Sequence, residues 1–115
     1  MITTPGEVLA ELASIRQQSE KGIELLASTE KELVLAELAA DRIEAQAVLD
    51  YKGTVADKQA LAFLAASEAK EKAALLRVQV NRIKMKLKHL SESMNAVQTS
   101  ARMVELEWRV GGTGR

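Results

Sequence analysis

The residues best suited to chemistry are the basic side chains of residues 76–90, LRVQVNRIKMKLKHL. This segment holds five Arg or Lys residues and no acidic residue. Together with one lysine that precedes them they define the basic stripe: Lys70, Arg77, Arg82, Lys84, Lys86 and Lys88. On a helix the stripe would extend over roughly 25–30 Å. A row of cations of this length can follow a phosphate backbone and release its counterions, so the stripe predicts a nucleic-acid-binding surface.

Two other interpretations of the basic stripe stay open. Residues 1–52 hold ten acidic and five basic residues, whereas residues 53–115 hold six acidic and eleven basic residues. The two halves of the chain, or two copies of it, could therefore pair with each other. In an antiparallel hairpin Glu20 and Glu24 would lie near Lys84, and Glu37 near Lys70. The remaining interpretation is binding to an acidic membrane surface.

Two aromatic residues are candidates for stacking on bases. Trp108 stands beside Arg109, and Tyr51 stands beside Lys52. Trp and Arg both stack well on bases, and Tyr51 has the same possible role because it is expected at the exposed tip of the hairpin. Trp108 also continues an apolar helical repeat, which favours a contact in the core or between copies.

Catalysis and metal binding have little support in the sequence. The single histidine, His89, lies between Lys88 and Leu90, and there is no cysteine. No phosphate-binding glycine loop or zinc-protease motif occurs. Carboxylates share a helix flank, but a solvated acidic face explains them better than a cation cage does: Glu30, Glu37, Asp41 and Glu44. We expect no enzyme activity, no metal and no cofactor.

The composition predicts an all-α fold built from two long helices. Ala and Leu dominate, and Gly, Pro and aromatic residues are few. Thr4 before Pro5 starts helix 1, which is expected over residues 5–51. Gly53 suits a left-handed turn residue, so the turn is expected over 52–54. Thr54 with Asp57 resembles a capping box and starts helix 2, expected over 55–110 with a frayed tail at 111–115. The prediction is one helical-hairpin domain.

A heptad repeat predicts which faces of the two helices meet. Small or apolar residues in helix 1 recur at 8, 12, 15, 19, 22, 26, 29, 33, 36, 40, 43 and 47. In helix 2 they recur at 62, 66, 69, 73, 76, 80, 83, 87, 90, 94, 97, 101, 104 and 108. The larger members of the second row are expected to form the seam: Leu76, Val80, Ile83, Leu87, Leu90, Met94, Val97 and Val104. Gly22 costs about 1 kcal/mol in a helix interior, which predicts a kink near residues 18–23.

Apolar residues outside the seam predict that the hairpin assembles into a homo-oligomer. They widen the apolar face beyond what a two-stranded contact covers. They are Leu9, Leu25, Leu35, Leu38, Leu49, Leu61, Leu64, Leu75 and Val78. The sequence does not fix the number of copies.

One stretch, RIEAQAVLDYKG (Arg42 to Gly53), is followed by a basic amphipathic helix that ends in an aromatic residue and a Gly pair. In this respect the chain resembles the UvsY-type recombination mediators of tailed bacteriophages. The resemblance implies a small helical oligomer that binds single-stranded DNA, contacts a single-strand-binding protein and assists loading of a RecA-type recombinase. Because helix 2 is poor in aromatic residues, the basic residues would be the main DNA contacts.

The competing interpretation is a coiled-coil structural or interaction protein, such as a scaffold, an inhibitor or an assembly chaperone, without nucleic acid. The apparent match of an acidic helix 1 with a basic helix 2 favours it. Under either interpretation we expect a cytoplasmic location, in the host cytoplasm if a phage encodes the chain. No apolar run is long enough to span a membrane, and no signal peptide is evident at the N-terminus.

Overall fold

The protein is all-helical in the computed structural model, which describes residues 4–113 and the side chains of residues 4–110. Helix α1 comprises Pro5–Asp50 and helix α2 comprises Val55–Thr113. No strand occurs in this part of the chain. The predicted all-α class, and the order of two long helices with a short connection, are confirmed.

Helix α1 begins where the cap residues predict. The backbone N–H of Glu7 donates to Oγ1 of Thr4 at 3.2 Å, and that of Val8 donates to the Thr4 carbonyl at 3.1 Å. Pro5 has no N–H and therefore loses nothing at the first helical position. Helix α1 continues without a break through residues 18–23. The kink expected there stays a prediction.

The connection between the helices is residues 51–54. As predicted, Thr54 caps α2, since its Oγ1 accepts the N–H of Asp57 at 3.2 Å. The expectation for Gly53 is wrong, because no glycine of the described chain has a positive φ. What Gly53 provides is space: an added Cβ would collide with Cε1 of Tyr51 and lie 2.6 Å from its Cζ. The Tyr51 ring therefore lies over Gly53.

The end of α2 differs from the expected residue 110. The helix runs to Thr113, so Gly111 and Gly112 do not stop it. Glycine lowers helix propensity without removing the backbone N–H that continues the hydrogen-bond pattern. Residues 114 and 115 of the predicted tail lie outside the described part of the chain.

The chain divides into two compact units. The turn unit is Leu25–Arg82, and the terminal unit combines Met1–Glu24 with Ile83–Arg115. Small residues dominate the interior of the turn unit, where Ala36, Ala73 and Leu76 form a buried cluster against Leu33. Ala40, Ala62 and Ala66 are buried as well. Small side chains at this contact let the two helices approach closely.

Larger apolar residues fill the interior of the terminal unit. Val8, Ile15, Leu90 and Val97 form its buried cluster. Four half-buried side chains pack around them: Leu12, Leu87, Met94 and Ala101. The interior thus contains mainly small residues in the turn unit and larger ones in the terminal unit.

The heptad repeat predicts burial well. Every predicted seam position is buried or half-buried except Ile43 and Trp108, which are 40% and 65% exposed. The polar seam residue Thr29 is buried, and its hydroxyl donates to the Leu25 carbonyl at 2.7 Å. Back-bonding within the helix is how a buried threonine is satisfied without a partner on the other helix.

Candidate nucleic-acid interface

Two basic residues of the turn unit, Lys70 and Arg77, are neutralised by α1. Lys70 Nζ lies 2.9 Å from Oε2 of Glu44 and 5.2 Å from the centre of the Phe63 ring. Arg77 donates from Nη2 to Oε1 of Glu37 at 2.5 Å. Each pair is partly exposed, so it adds little to stability, on the order of 0–1 kcal/mol. Its consequence is electrostatic: these two cations already have counterions.

Lys70 forms its ion pair with a different glutamate from Glu37, the residue expected near it. Lys70 lines a groove together with Glu37, but its ion pair is formed with Glu44, seven residues further along α1. Glu37 is taken instead by Arg77. The lysine side chain extends along the helix axis and reaches a glutamate one heptad away from the expected one. A difference of one heptad does not change which residues form the seam.

Arg82 also belongs to the turn unit, and its environment differs from that of Arg77. It is exposed. It forms no ion pair with any described residue. Two of the three basic-stripe members in this unit are therefore neutralised by α1, and the third is not.

The terminal unit carries the lysine cluster, which we define as Lys84, Lys86 and Lys88. All three side chains are exposed, and none forms an ion pair with a residue that the structure describes. The acidic partners expected on α1, Glu20 and Glu24, form no such pair either. At this end of the basic stripe, pairing with α1 of the same chain is thus not found among the described residues, and pairing with another copy stays a hypothesis. The nearest acidic residue along α2 is Glu92.

The core of the terminal unit fixes the direction of the lysine cluster. Leu87 and Leu90 pack against the buried cluster, so the residues between the seam positions face outward. Lys84 and Lys88 are four residues apart and share one flank of α2, whereas Lys86 lies on the other. Between them Met85 is 72% exposed. The result is a convex, cationic surface with an apolar centre.

Trp108 is exposed, so it does not belong to the buried seam of the single chain, and a contact between copies at this residue stays a prediction. Gly22 lies against Leu87, and in that antiparallel register a residue as late as 108 would face a point before Pro5, where α1 begins. Trp108 instead lines a groove of about 370 Å³ with Pro5, Leu9 and Val104. Its neighbour Arg109 donates to Glu105 at 2.5 Å.

Tyr51 is less suited to stacking than its position in the turn suggests. The side chain is half-buried, and Cε1, Cζ and the hydroxyl of its ring lie against Gly53. Neither Tyr51 nor Trp108 lies within the lysine cluster, so the structure does not combine an aromatic platform with it.

The single histidine and the acidic flank of α1 form no metal-binding group within residues 4–113. His89 is exposed. Of the carboxylates on the acidic flank of α1, Glu37 and Glu44 are engaged by Arg77 and Lys70. Among the described residues no three His, Cys, Asp or Glu side chains come together as a group that could hold a metal ion.

Sequence reasoning predicted the exposed apolar stripes but not the difference between the two flanks of the turn unit. All nine apolar residues expected outside the seam are exposed. One flank has a groove that carries the ion pairs of Lys70 and Arg77, whereas the groove of the other flank, lined by Leu35, Ala39 and Ala69, has no ion pair among the described residues. Part of the signal was present in the sequence, since Glu37 and Glu44 follow one side of the α1 seam, whereas Glu32, Leu35 and Ala39 follow the other.

Comparison with known proteins identifies no relatives. The chain matches no family model, no curated protein and no solved structure. The resemblance to recombination mediators therefore stays a hypothesis carried by the residues themselves. Within the described chain, neither helix contains a stretch apolar enough to traverse a lipid bilayer.

Proposed function

We propose that the chain binds single-stranded DNA through the lysine cluster and acts as an oligomer. One observation carries the proposal: Lys84, Lys86 and Lys88 are exposed and lack ion pairs with the described residues, whereas Lys70 and Arg77 have them. Arg82, exposed in its own unit, adds a fourth cation without such a partner. Single strands suit a convex cationic surface because they bend easily around it.

The number of available cations sets the strength of this binding. Four phosphate contacts on one chain predict a slope of log K against log salt of roughly −3, at about −0.7 per contact for single strands. Such a chain alone binds weakly at physiological salt. Several copies on one strand raise the overall affinity by avidity without any new contact. This requirement is why the proposal includes an oligomer.

Loading of a RecA-type recombinase is the biological role that the resemblance adds to DNA binding. A strand held at several points by an oligomer is extended, and a bound single-strand-binding protein is weakened there. The supporting features in this chain are the lysine cluster and the exposed apolar residues available for protein partners. No nucleotide or metal is required for this role.

The experiment is a titration of a fluorescently labelled oligonucleotide followed by anisotropy, at low and moderate salt. The test variant combines Lys84→Gln, Lys86→Gln and Lys88→Gln. The matched control removes the same charge elsewhere with Lys21→Gln, Lys31→Gln and Lys52→Gln, all at exposed positions. We expect at least tenfold weaker binding for the test variant only. Equal losses in both would mean that net charge and not the lysine cluster holds the DNA.

The alternative function is a coiled-coil interaction protein without nucleic acid. Twenty large apolar side chains of the described chain are exposed, while alanines make up much of the turn unit's interior. Exposed apolar area on this scale marks protein contacts. This function predicts no anisotropy change at any salt concentration. It also predicts a protein that co-purifies in a fixed ratio and is lost when Leu9 or Trp108 is replaced by Ser.

A further inference from the structure

The two flanks of the turn unit differ in chemistry. Glu37 follows the buried Ala36 along α1, whereas Ala39 precedes the buried Ala40, so these residues turn to opposite sides of the helix contact. The Glu37 side carries the ion pairs with Arg77 and Lys70 and is called the ion-paired flank. The Ala39 side has no ion pair among the described residues and is called the open groove.

The open groove is apolar along its floor. It has a volume of about 290 Å³ and is lined by Leu35, Ala36, Ala39, Ala69 and Leu76. Leu35 is 56% exposed in the single chain, and any helix lying in the groove would cover it. Alanines on the floor let the backbone of another helix come close. This shape fits a helix or a helical hairpin better than a small molecule.

Two opposite charges border the open groove. Glu32 of α1 and Lys72 of α2 both line it, and both are exposed. Neither forms an ion pair with a described residue. In this respect the open groove differs from the ion-paired flank, where the acidic and basic residues of the same chain satisfy each other.

We propose that the open groove docks a second copy of this chain, with α1 of each copy against α2 of the other. A two-fold contact uses the same patch twice, so the patch must complement itself. Glu32 on one helix and Lys72 on the other meet that condition, since each copy offers both the acid and the base. A two-fold axis parallel to the groove places α1 of one copy against α2 of the other. Glu32 of one copy then faces the helix that carries Lys72 of the other.

The apolar content of the patch agrees with this occupant. Leu35 is exposed in the open groove, and a copy of the same surface would cover it with an equivalent leucine. The product is a four-helix contact, in which the alanine-rich interior of each hairpin is covered on its open side. An unrelated partner has no reason to match both charges at once.

This inference uses none of the residues proposed to bind DNA. The oligomer required for avidity rests on the open groove, whereas the phosphate contacts rest on Lys84, Lys86 and Lys88. The two proposals can therefore fail separately. A chain that assembles but does not bind an oligonucleotide contradicts the phosphate contacts and leaves this inference intact. A monomer that binds contradicts this inference and the oligomeric part of the proposed function, and leaves the phosphate contacts intact.

The first experiment compares one substitution on the two flanks of the turn unit. Ala39→Glu places a carboxylate in the open groove, and Ala74→Glu places one on the ion-paired flank. Both alanines are exposed, so the fold of the hairpin is preserved, and circular dichroism verifies it. Sedimentation and light scattering over a concentration series should show at least tenfold weaker self-association for Ala39→Glu and no change for Ala74→Glu.

The second experiment tests charge complementarity. Glu32→Lys and Lys72→Glu should each weaken self-association, because each leaves like charges facing across the contact. Combining them in one chain restores the opposite charges and should restore most of the self-association. A wild-type chain that remains monomeric at all concentrations overturns the proposal. So does an equal effect of Ala39→Glu and Ala74→Glu, or a double variant weaker than both single ones.

Discussion

In the terminal unit Gly22 lies directly against Leu87: a β-carbon at Gly22 would be 2.7 Å from Cδ2 and 3.4 Å from Cγ of that leucine. The glycine thus serves helix packing, at the position where its low helix propensity predicts a weak point. Leu87 belongs to the seam, and its neighbours on α2 are Lys86 and Lys88. The contact therefore fixes the part of α2 that carries the lysine cluster.

Replacing Gly22 by Val should destabilise the terminal unit by about 1–3 kcal/mol, because the added side chain overpacks the contact with Leu87. Gly22→Ala should have a smaller effect. The gain in helix propensity, about 1 kcal/mol, opposes the displacement of a flexible leucine end. Urea unfolding followed by circular dichroism measures both.

Gly6→Ala is the control for the Gly22 variants, since nothing lies within 4 Å of a β-carbon at Gly6. It should leave stability unchanged or raise it slightly. The Gly22–Leu87 contact also predicts that the two substitutions are coupled. Leu87→Ala should remove most of the destabilisation that Gly22→Val causes. Additive effects of the two substitutions would show that the Gly22–Leu87 contact does not limit packing.

The turn supplies a second prediction. Gly53→Ala should cost about 1 kcal/mol or more, because the new methyl group collides with the Tyr51 ring. The reason is steric and does not involve a left-handed backbone. The double variant Gly53→Ala with Tyr51→Ala should therefore be more stable than the sum of the two single effects predicts. A penalty that persists after removal of the ring would return the explanation to backbone conformation.

The cap of α2 supplies a third prediction. Thr54→Ala removes the acceptor for the Asp57 N–H and should lower the free energy of unfolding by about 1 kcal/mol. Thr54→Ser keeps the oxygen and should stay within a few tenths of wild type. Thermal unfolding of the three proteins side by side makes the comparison. Equal melting temperatures for Ala and wild type would mean that water replaces the cap at no cost.

The helices were predictable because their signals are local. Thr4, Pro5 and Thr54 determine where the helices begin, and the heptad repeat determines which residues are buried. Gly53 shows the limit, since a turn glycine predicts a left-handed residue whereas the actual reason is the ring of Tyr51. Trp108 shows a second limit of the sequence analysis. The repeat along α2 predicts burial at residue 108, but it does not show that α1 begins only at Pro5.

The candidate site was predictable only as a set of basic residues. Which of them are neutralised depends on the partner reached by each side chain, and a shift of one heptad moves that partner from Glu37 to Glu44 for Lys70. The seam is unchanged by such a shift, so the repeat carries no information about it. The division between paired and unpaired cations appears only in the structure.

The division between paired and unpaired cations gives a fourth prediction, which concerns the two cations that are paired. Glu37→Gln and Glu44→Gln together remove the counterions of Arg77 and Lys70. Because surface pairs contribute about 0–1 kcal/mol each, stability should change little. Oligonucleotide affinity should rise, and the salt slope should steepen by up to about 0.7 for each freed cation that reaches a phosphate. The matched control is Glu7→Gln with Glu11→Gln, which removes the same charge near the start of α1.

Charge reversal within the basic stripe is the last prediction. Arg82→Glu with Lys86→Glu should abolish retention of single-stranded DNA at moderate salt and leave helicity and oligomer mass unchanged, because both side chains are exposed and neither has an ion pair with a described residue. Anisotropy, circular dichroism and light scattering on one preparation give the three readings. Loss of mass instead of DNA binding would assign these cations to assembly, where the lysine cluster would contact another copy.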